Sequence, residues 1–463
     1  MKPSRSCDKC YRIKARCDYV QGSSECERCA RLGHACKVER AVLHPGRPRT
    51  AVKSQSTVSP KQKHASPATL ANRSQARLQS EGHLLPVWGA FGQNELPLLE
   101  FALHPDQIGN WLYGPTFTNT MRTDLTTHIW GNSEELKDAF LAFASVFLVS
   151  KHADSAEALS RQHVQRGSRA VQRLANLSTV TIDSARTALT LALLLSTYND
   201  LVTGAPAFAL SRSALLRAMP YRKQLILPTT EGTNPHIICI LFMEATECLV
   251  IGQVPLFRHQ PLQGNTLVDK YYGISHELLP FLYDICVLYS SIKAGSISWL
   301  SRTLEFERIT KLVDPWSPEL AIEARDGVIK NSDEKHHFLL QAKVFKSAVQ
   351  LLLLHTQRNP EAIALARARA VQVHSEFLDL MQHAVDRPNY ALFPYFVACL
   401  ELVDPDDELA SIVLDTMNKS SAGLAPASCQ SMLQCLKHIW KRRRQRPDLA
   451  WFECVDEAVA MGP

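Results

Sequence analysis

Six cysteines crowd into the first 36 of 463 residues: Cys7, Cys10, Cys17, Cys26, Cys29 and Cys36. Their spacing is C-x2-C-x6-C-x8-C-x2-C-x6-C, one C-x2-C-x6-C unit written twice. A segment this short and polar has almost no apolar core to fold around. Each C-x2-C sets two thiols on one turn of chain, and the third cysteine closes the unit. Thiolates suit zinc, which takes four ligands in a tetrahedron. Two separate four-sulfur sites need eight ligands, so six cysteines hold two ions only if two sulfurs are shared. One zinc with spare thiols, or a set of disulfides, are the other readings of the spacing. With metal, binding supplies most of the folding energy and requires deprotonated sulfurs.

Charge is equally uneven. Residues 1–80 carry 17 Lys/Arg against 5 Asp/Glu, a net of +12, while the rest of the chain carries 34 basic against 40 acidic side chains. An excess confined to one end points to a polyanion partner. The two units differ in this respect. Arg12, Lys14 and Arg16 lie between the second and third cysteines, whereas the matching stretch of the second unit has only Arg31 and His34. The opening Lys2-Pro3-Ser4-Arg5 is polar and no apolar signal segment follows it. Apolar stretches such as 139–149 are shorter than the roughly 20 residues a bilayer requires. The chain is therefore expected to be soluble and intracellular with no membrane partner, where reduced thiols favour metal over disulfides.

The cysteine pattern resembles that of the fungal binuclear zinc cluster family of transcription regulators, over residues 6–40. The resemblance implies two Zn2+, with Cys7 and Cys26 bridging, Cys10 and Cys17 completing one site, and Cys29 and Cys36 the other. It implies two short helices, one starting near each C-x2-C, with Gly33 at the end of the second. Lys14 matches the family's base-reading lysine, which implies double-stranded DNA with a CGG-type half-site as partner. Arg12 and Arg16 would hold phosphates and set register. Nuclear localisation, RNA polymerase II genes and the transcription machinery follow from the same likeness, and the compact plan is that of regulators of secondary-metabolite gene clusters. Two positions depart from the family. Tyr11 stands where a basic residue usually follows the second cysteine, and the loop Asp18 to Glu25 has no proline. The competing reading is a zinc-stapled protein-interaction factor without direct DNA readout. Pro45-Gly46-Arg47-Pro48-Arg49 resembles an AT-hook, whose arm lies in narrow A·T minor grooves. That adds Arg47 and Arg49 as DNA-binding candidates; an ordinary basic linker is the alternative.

Residues 41–85 are rich in Pro, Ser, Lys, Arg and Gln, with no acidic residue from Ala41 to Ser80. They are expected to be a disordered basic linker. From 86 to 440 the apolar spacing is helical, and a large all-α regulatory domain of a dozen or so helices is expected. Leu136, Phe140, Phe143 and Phe147 form one stripe, capped by Asn132 or Ser133. Phe338, Ala342, Phe345, Val349 and Leu352 form a second. A third starts at Asn359-Pro360 and runs through Ile363, Ala366, Ala370, Val373, Phe377, Leu380 and Ala384. Residues 41–85 show no heptad pattern, so the chain acts as a monomer on DNA or as a homodimer through the helical domain. The third stripe could serve as that seam, and bundle core is the favoured reading. No G-x-S-x-G, G-x-G-x-x-G, phosphate-loop or H-E-x-x-H motif occurs, so no enzyme is expected. Residues 441–463 form a basic run, Lys441 to Arg446, then an acidic-aromatic tail with Trp451 and Phe452. The run reads as an import signal or a helix end. The tail reads as an activation segment or, preferably, as a final packed helix.

Overall fold

The computed structural model describes residues 7–8, 10, 17–19, 25–38, 91–104, 115–151, 156–202, 207–226, 235–260, 268–325, 327–329, 331–357, 359–383, 391–401, 411–412, 415–416, 426–446 and 451–455. Side chains at 115, 130, 133, 147–151, 156–161, 226, 235 and 426–429 are outside this description. The chain divides into two units, Met1–His64 and Ala65–Pro463. Apart from isolated bridges at Tyr19–Cys26 and Asp269–Gly273, the regular structure among the described residues is helical.

The first unit contains α1 (Glu27–Arg31). The second contains α2 (Leu96–Ala102), α3 (Pro115–Gly131), α4 (Ser133–Lys151), α5 (Ala156–Asn176), α6 (Ile182–Val202), α7 (Phe208–Ala218), α8 (Arg222–Ile226) and α9 (Pro235–Ile251). It continues through α10 (Leu279–Lys293), α11 (Trp299–Val313), α12 (Pro318–Glu323), α13 (Ser332–His355), α14 (Pro360–His383), α15 (Leu392–Cys399) and α16 (Pro426–Gln445). Local chemistry sets several of these starts. Ser298, Ser317 and Asn331 cap α11, α12 and α13 by accepting backbone N–H bonds from Ser301, Leu320 and Asp333. Asn359 accepts from Ala362 N at 2.7 Å, and Pro360 is the first residue of α14, as the sequence predicts.

Two groups of helices form the second unit. In the first, α4 packs on α2, α5 and α6, and α6 also packs on α7 and α9. Arg217 of α7 donates to the carbonyls of Leu174, Ala175 and Leu177, satisfying groups left open at the end of α5. In the second, α13 is the central rod, packed against α10, α11, α12, α14 and α15. From Val344 to His355 only Lys346 and Gln350 are not fully buried. A helix apolar on all sides belongs inside a core. By length and composition α13 is apolar enough to cross a bilayer, unlike the stretches noted in the sequence, but 72% of its most apolar window is buried in the unit. Gly273 (φ 55°) precedes the 3-10 turn Ile274–Leu278, and a Cβ there would lie 2.2 Å from the Phe338 ring.

The stripe residues 338, 342, 345, 349 and 352 are all buried, as are Leu136, Phe140 and Phe143. Three expectations need correction. Asn132 does begin α4, but its side chain is turned to tertiary use. Its Oδ1 accepts from Thr187 of α6 at 2.9 Å, and its amide donates to the His128 carbonyl. On α14 the buried line is Ala362, Ala366, Ala370, Val373, Phe377 and Leu380, while Ile363 is 57% exposed. One residue is 100° of helix, and the seam toward α13 and α15 runs through 362. Ala384 lies outside the described residues.

The third correction concerns the C-terminus. The expected division at 440/441 falls inside α16, which runs unbroken to Gln445. Two arginines of the basic run serve the fold: Arg442 donates to the Cys454 carbonyl at 3.2 Å and Arg443 to the Leu400 carbonyl. Among the described residues of the tail, 451–455, Trp451–Glu453 form a 3-10 turn. Trp451 and Phe452 are 2% and 1% exposed. Phe452 stacks on Tyr289 with ring centroids 4.4 Å apart. The Trp451 indole N–H donates to His355 Nδ1 at 2.7 Å, and His355 Nε2 lies 2.6 Å from Glu401. Burial would raise the Glu401 carboxyl, but His355 and Arg443 outweigh it and bring it down to about 2. These two apolar anchors suit core packing better than a solvated activation segment. Replacing Trp451 by Ala should lower the unfolding free energy by about 3–5 kcal/mol, read as an earlier midpoint in a denaturant titration of the full chain.

Between α6, α7 and α9 lie acids of the opposite kind. Burial pushes Asp200 and Glu244 up to about 7 and Glu247 to about 8, with Asp200 adding to the rise at Glu247. Arg212 and the Leu256 N–H engage Glu244. The folded chain keeps a proton on Glu247 that the unfolded chain releases near the ordinary carboxylate value. Stability therefore falls as pH rises from there toward about 8. Glu247→Gln should remove part of this decline, with a later denaturation midpoint than the parent at pH 8.5 and little difference at pH 4.

Candidate metal centre

The second half of the cysteine segment folds around its own sulfurs. Cys26 sits in extended backbone (φ −75°, ψ 149°) at the N-cap of α1, and its Sγ accepts the backbone N–H of Cys29 at 3.4 Å. A sulfur thus does what a serine or aspartate oxygen does at other helix starts. The helix ends at Leu32, and Gly33 takes φ 64°, a left-handed value that suits glycine. His34 N–H returns to the Cys29 carbonyl at 3.0 Å. This reversal brings Cys36 back to Cys26, whose N–H donates to the Cys36 sulfur at 3.2 Å.

The first half repeats these contacts where it is described. Cys10 N–H donates to the Cys7 sulfur at 3.4 Å, and Cys7 N–H to the Cys17 sulfur at 3.2 Å. Asp8 and Cys10 have helical backbone. Two backbone bonds cross between the halves, Asp8 N–H to Lys37 O at 2.8 Å and Glu27 N–H to Asp18 O at 2.9 Å.

All six expected ligands come together, in two overlapping groups. Cys7, Cys10, Cys17 and Cys26 form one, and Cys7, Cys26, Cys29 and Cys36 the other; within each group the sulfurs lie within 4.8 Å of one another. Cys7 and Cys26 belong to both. Neighbouring sulfurs such as Cys7–Cys29 and Cys10–Cys26 stand 3.6 and 3.8 Å apart. A tetrahedron with metal–sulfur arms of about 2.3 Å has edges of about 3.8 Å. A disulfide needs about 2.05 Å, and all six cysteines are free thiols. The donor set therefore fits two thiophilic divalent ions sharing two sulfurs.

Electrostatics single out the same shared pair. Burial pushes Cys10 up to about 12 and raises Cys17 and Cys29. It acts on Cys7 and Cys26 too, but there the backbone N–H groups of Cys10 and Cys29 and neighbouring thiols outweigh it. Cys7 falls to about 6, and Cys26 is lowered. The two sulfurs that would face both cations are thus those where the chain best tolerates negative charge. A bound cation supplies the rest, deprotonating the remaining thiols.

The expected DNA contacts Arg12, Lys14, Arg16, Arg47 and Arg49 lie outside the described residues, as does the linker 41–85. The residue that sequence reasoning passed over is Tyr19. Its hydroxyl lies 3.6 Å from the Cys36 sulfur, and its backbone bridges Cys26. The signal was an aromatic side chain two positions after the third cysteine. In the helical unit, His337 is buried while His336 is exposed against the His383 ring, so the adjacent histidines face apart. Cys239, Cys248, Cys286, Cys399 and Cys454 are buried core residues.

Residues 114–462 match the family described as the fungal specific transcription factor domain. The chain belongs to that family, and its class is the transcription regulators. A curated relative is the glucose transport transcription regulator RGT1 of Zygosaccharomyces rouxii, 40% identical over 55 residues. That match takes in 12% of this chain and 5% of the relative, so the chain spans only a small part of that protein's length. No solved structure matches. The family match covers the helical unit from α3 onward, and the six-sulfur centre precedes it.

Two ions held by these overlapping groups would make the cysteines unequal in a testable way. Removing a shared sulfur strips both sites to three ligands, whereas removing an unshared one leaves a complete site. Native mass spectrometry of the zinc-loaded full chain should find two ions. Cys17→Ala should keep one tightly held zinc and Cys26→Ala neither; equal losses would contradict the sharing.

Proposed function

We propose that this chain is a nuclear, zinc-dependent regulator of RNA polymerase II genes that binds double-stranded DNA and has no enzymatic activity of its own. The observation that carries the reading is the overlap of the two four-sulfur groups at Cys7 and Cys26, attached to a chain of the fungal transcription factor family. Two Zn2+ are the ions that this donor set suits. The ions and six thiolates together subtract only two charges from a strongly basic segment, which stays attractive to phosphate.

In this reading Lys14 is the base reader. It donates to guanine O6 and N7 in the major groove of a CGG-type half-site. Arg12 and Arg16 hold phosphates, and Arg47 and Arg49 follow the backbone into an adjacent minor groove. The helical unit regulates, and the transcription machinery is its partner. A homodimer through that unit would use a face other than 362–380, since α13 and α15 already cover that line. A secondary-metabolite gene cluster is the target class we propose.

Electrophoretic mobility shifts across a salt series test this. Lys14→Ala should lose about 1–3 kcal/mol of discrimination between CGG-containing and scrambled duplexes. Arg16→Ala should weaken both equally and reduce the salt slope by about 1. Equal effects from the two changes would remove the division of roles. Absence of salt-dependent DNA binding by the zinc-loaded chain would favour the protein-interaction reading.

A further inference from the structure

The two cysteine units obey a near two-fold rule. Each residue of the first corresponds to the one 19 positions later in the second, so Cys7, Cys10 and Cys17 map to Cys26, Cys29 and Cys36. The sulfur-to-backbone bonds agree in pairs, at 3.2 Å for Cys17 and Cys36 and at 3.4 Å for Cys7 and Cys26. The crossing backbone bonds agree as well. One contact breaks the rule. The Tyr19 hydroxyl lies 3.6 Å from the Cys36 sulfur. The counterpart of Tyr19 is Val38, which is 41% exposed and has no side-chain donor to offer Cys17. The bridge between Tyr19 and Cys26, which anchors that side chain, has no counterpart among the described residues.

Beside a thiolate a hydroxyl can only donate. Six thiolates and two divalent ions leave a net charge of about −2, so a donor at one sulfur relieves repulsion there. It also gives that ligand a second bond to break before it leaves. Outer partners of this kind orient metal ligands and change affinity by about 10–100-fold.

We infer that Tyr19 is a positioning residue that makes the two metal sites unequal. Its hydroxyl holds the Cys36 sulfur on the Cys7–Cys26–Cys29–Cys36 site, and the Cys7–Cys10–Cys17–Cys26 site gives up its ion first. The inference rests on the two-ion reading proposed above. The stepwise loss of metal is set by a side chain that is not itself a ligand.

The test uses the full zinc-loaded chain and Tyr19→Phe, which keeps the ring and removes only the hydroxyl. Both are challenged with EDTA, followed by native mass spectrometry, and pulsed with N-ethylmaleimide for peptide mapping. The parent should pass through a one-zinc form alkylated at Cys10 and Cys17 and protected at Cys29 and Cys36. Tyr19→Phe should lose its second zinc about tenfold faster, with label spread over both sites. An evenly labelled parent intermediate, or a variant that behaves as the parent does, overturns the inference. So does a variant that loads no zinc, which would make Tyr19 a folding residue. A parent chain that never holds two zincs fails the underlying reading as well, and the stoichiometry alone distinguishes that case.

Discussion

Cys7 and Cys26 each stand in two four-sulfur groups, and the N-terminal unit is organised by that overlap. Its other cluster members are the remaining cysteines and Tyr19. Among the described residues this cluster draws its members from both halves, so the halves form together. The Cys26 sulfur shows how much one atom is asked to do. It belongs to both groups, caps α1, and accepts the N–H that positions the next ligand. Backbone amides aimed at the shared sulfurs lower the cost of gathering negative charge before any cation arrives.

The helical unit uses different physics. It is built around α13, buried nearly all round, and its stability comes from apolar surface removed from water. Polar groups that enter this core arrive with partners. The Tyr289 hydroxyl donates to the Leu352 carbonyl at 2.7 Å, and the Trp440 indole to the Cys399 carbonyl at 2.9 Å. The line from Trp451 through His355 and Glu401 to Arg443 places a charged pair in the interior and fastens the C-terminal turn to α13 and α16. A buried pair of this kind costs desolvation and returns geometric definition. It explains why a basic run and an aromatic tail that read as separate signals are parts of one packed corner.

Features set by neighbours in sequence were the legible ones. The Asn359-Pro360 start of α14 and the 338–352 stripe appear as the residue pattern indicates, because caps and periodicity act over one or two turns. Ile363 was misplaced because a stripe read at steps of three and four tolerates an error of one residue at its end, and only packing against α13 decides between 362 and 363. Asn132 was read as a cap because its type favours that role. Thr187, 55 residues later, takes its side-chain oxygen instead. The one signal Tyr19 carried, an aromatic residue two positions after a cysteine, is ordinary until Cys36 arrives next to it.

Sequence alone determined the inventory: six sulfurs at metal-binding spacing, a basic first fifth, and a long helical remainder. Those properties reside in residue type and short-range spacing. It did not by spacing choose which two sulfurs are held in common, though the family resemblance implied Cys7 and Cys26. Tertiary structure brought those two into both groups, committed Arg442 and Arg443 to carbonyls, and drew Trp451 and Phe452 inside. The reason is distance along the chain: Cys7 meets Cys26 across 19 residues and Trp451 meets His355 across 96. Contacts that far apart are decided by how whole elements pack, which no local pattern encodes.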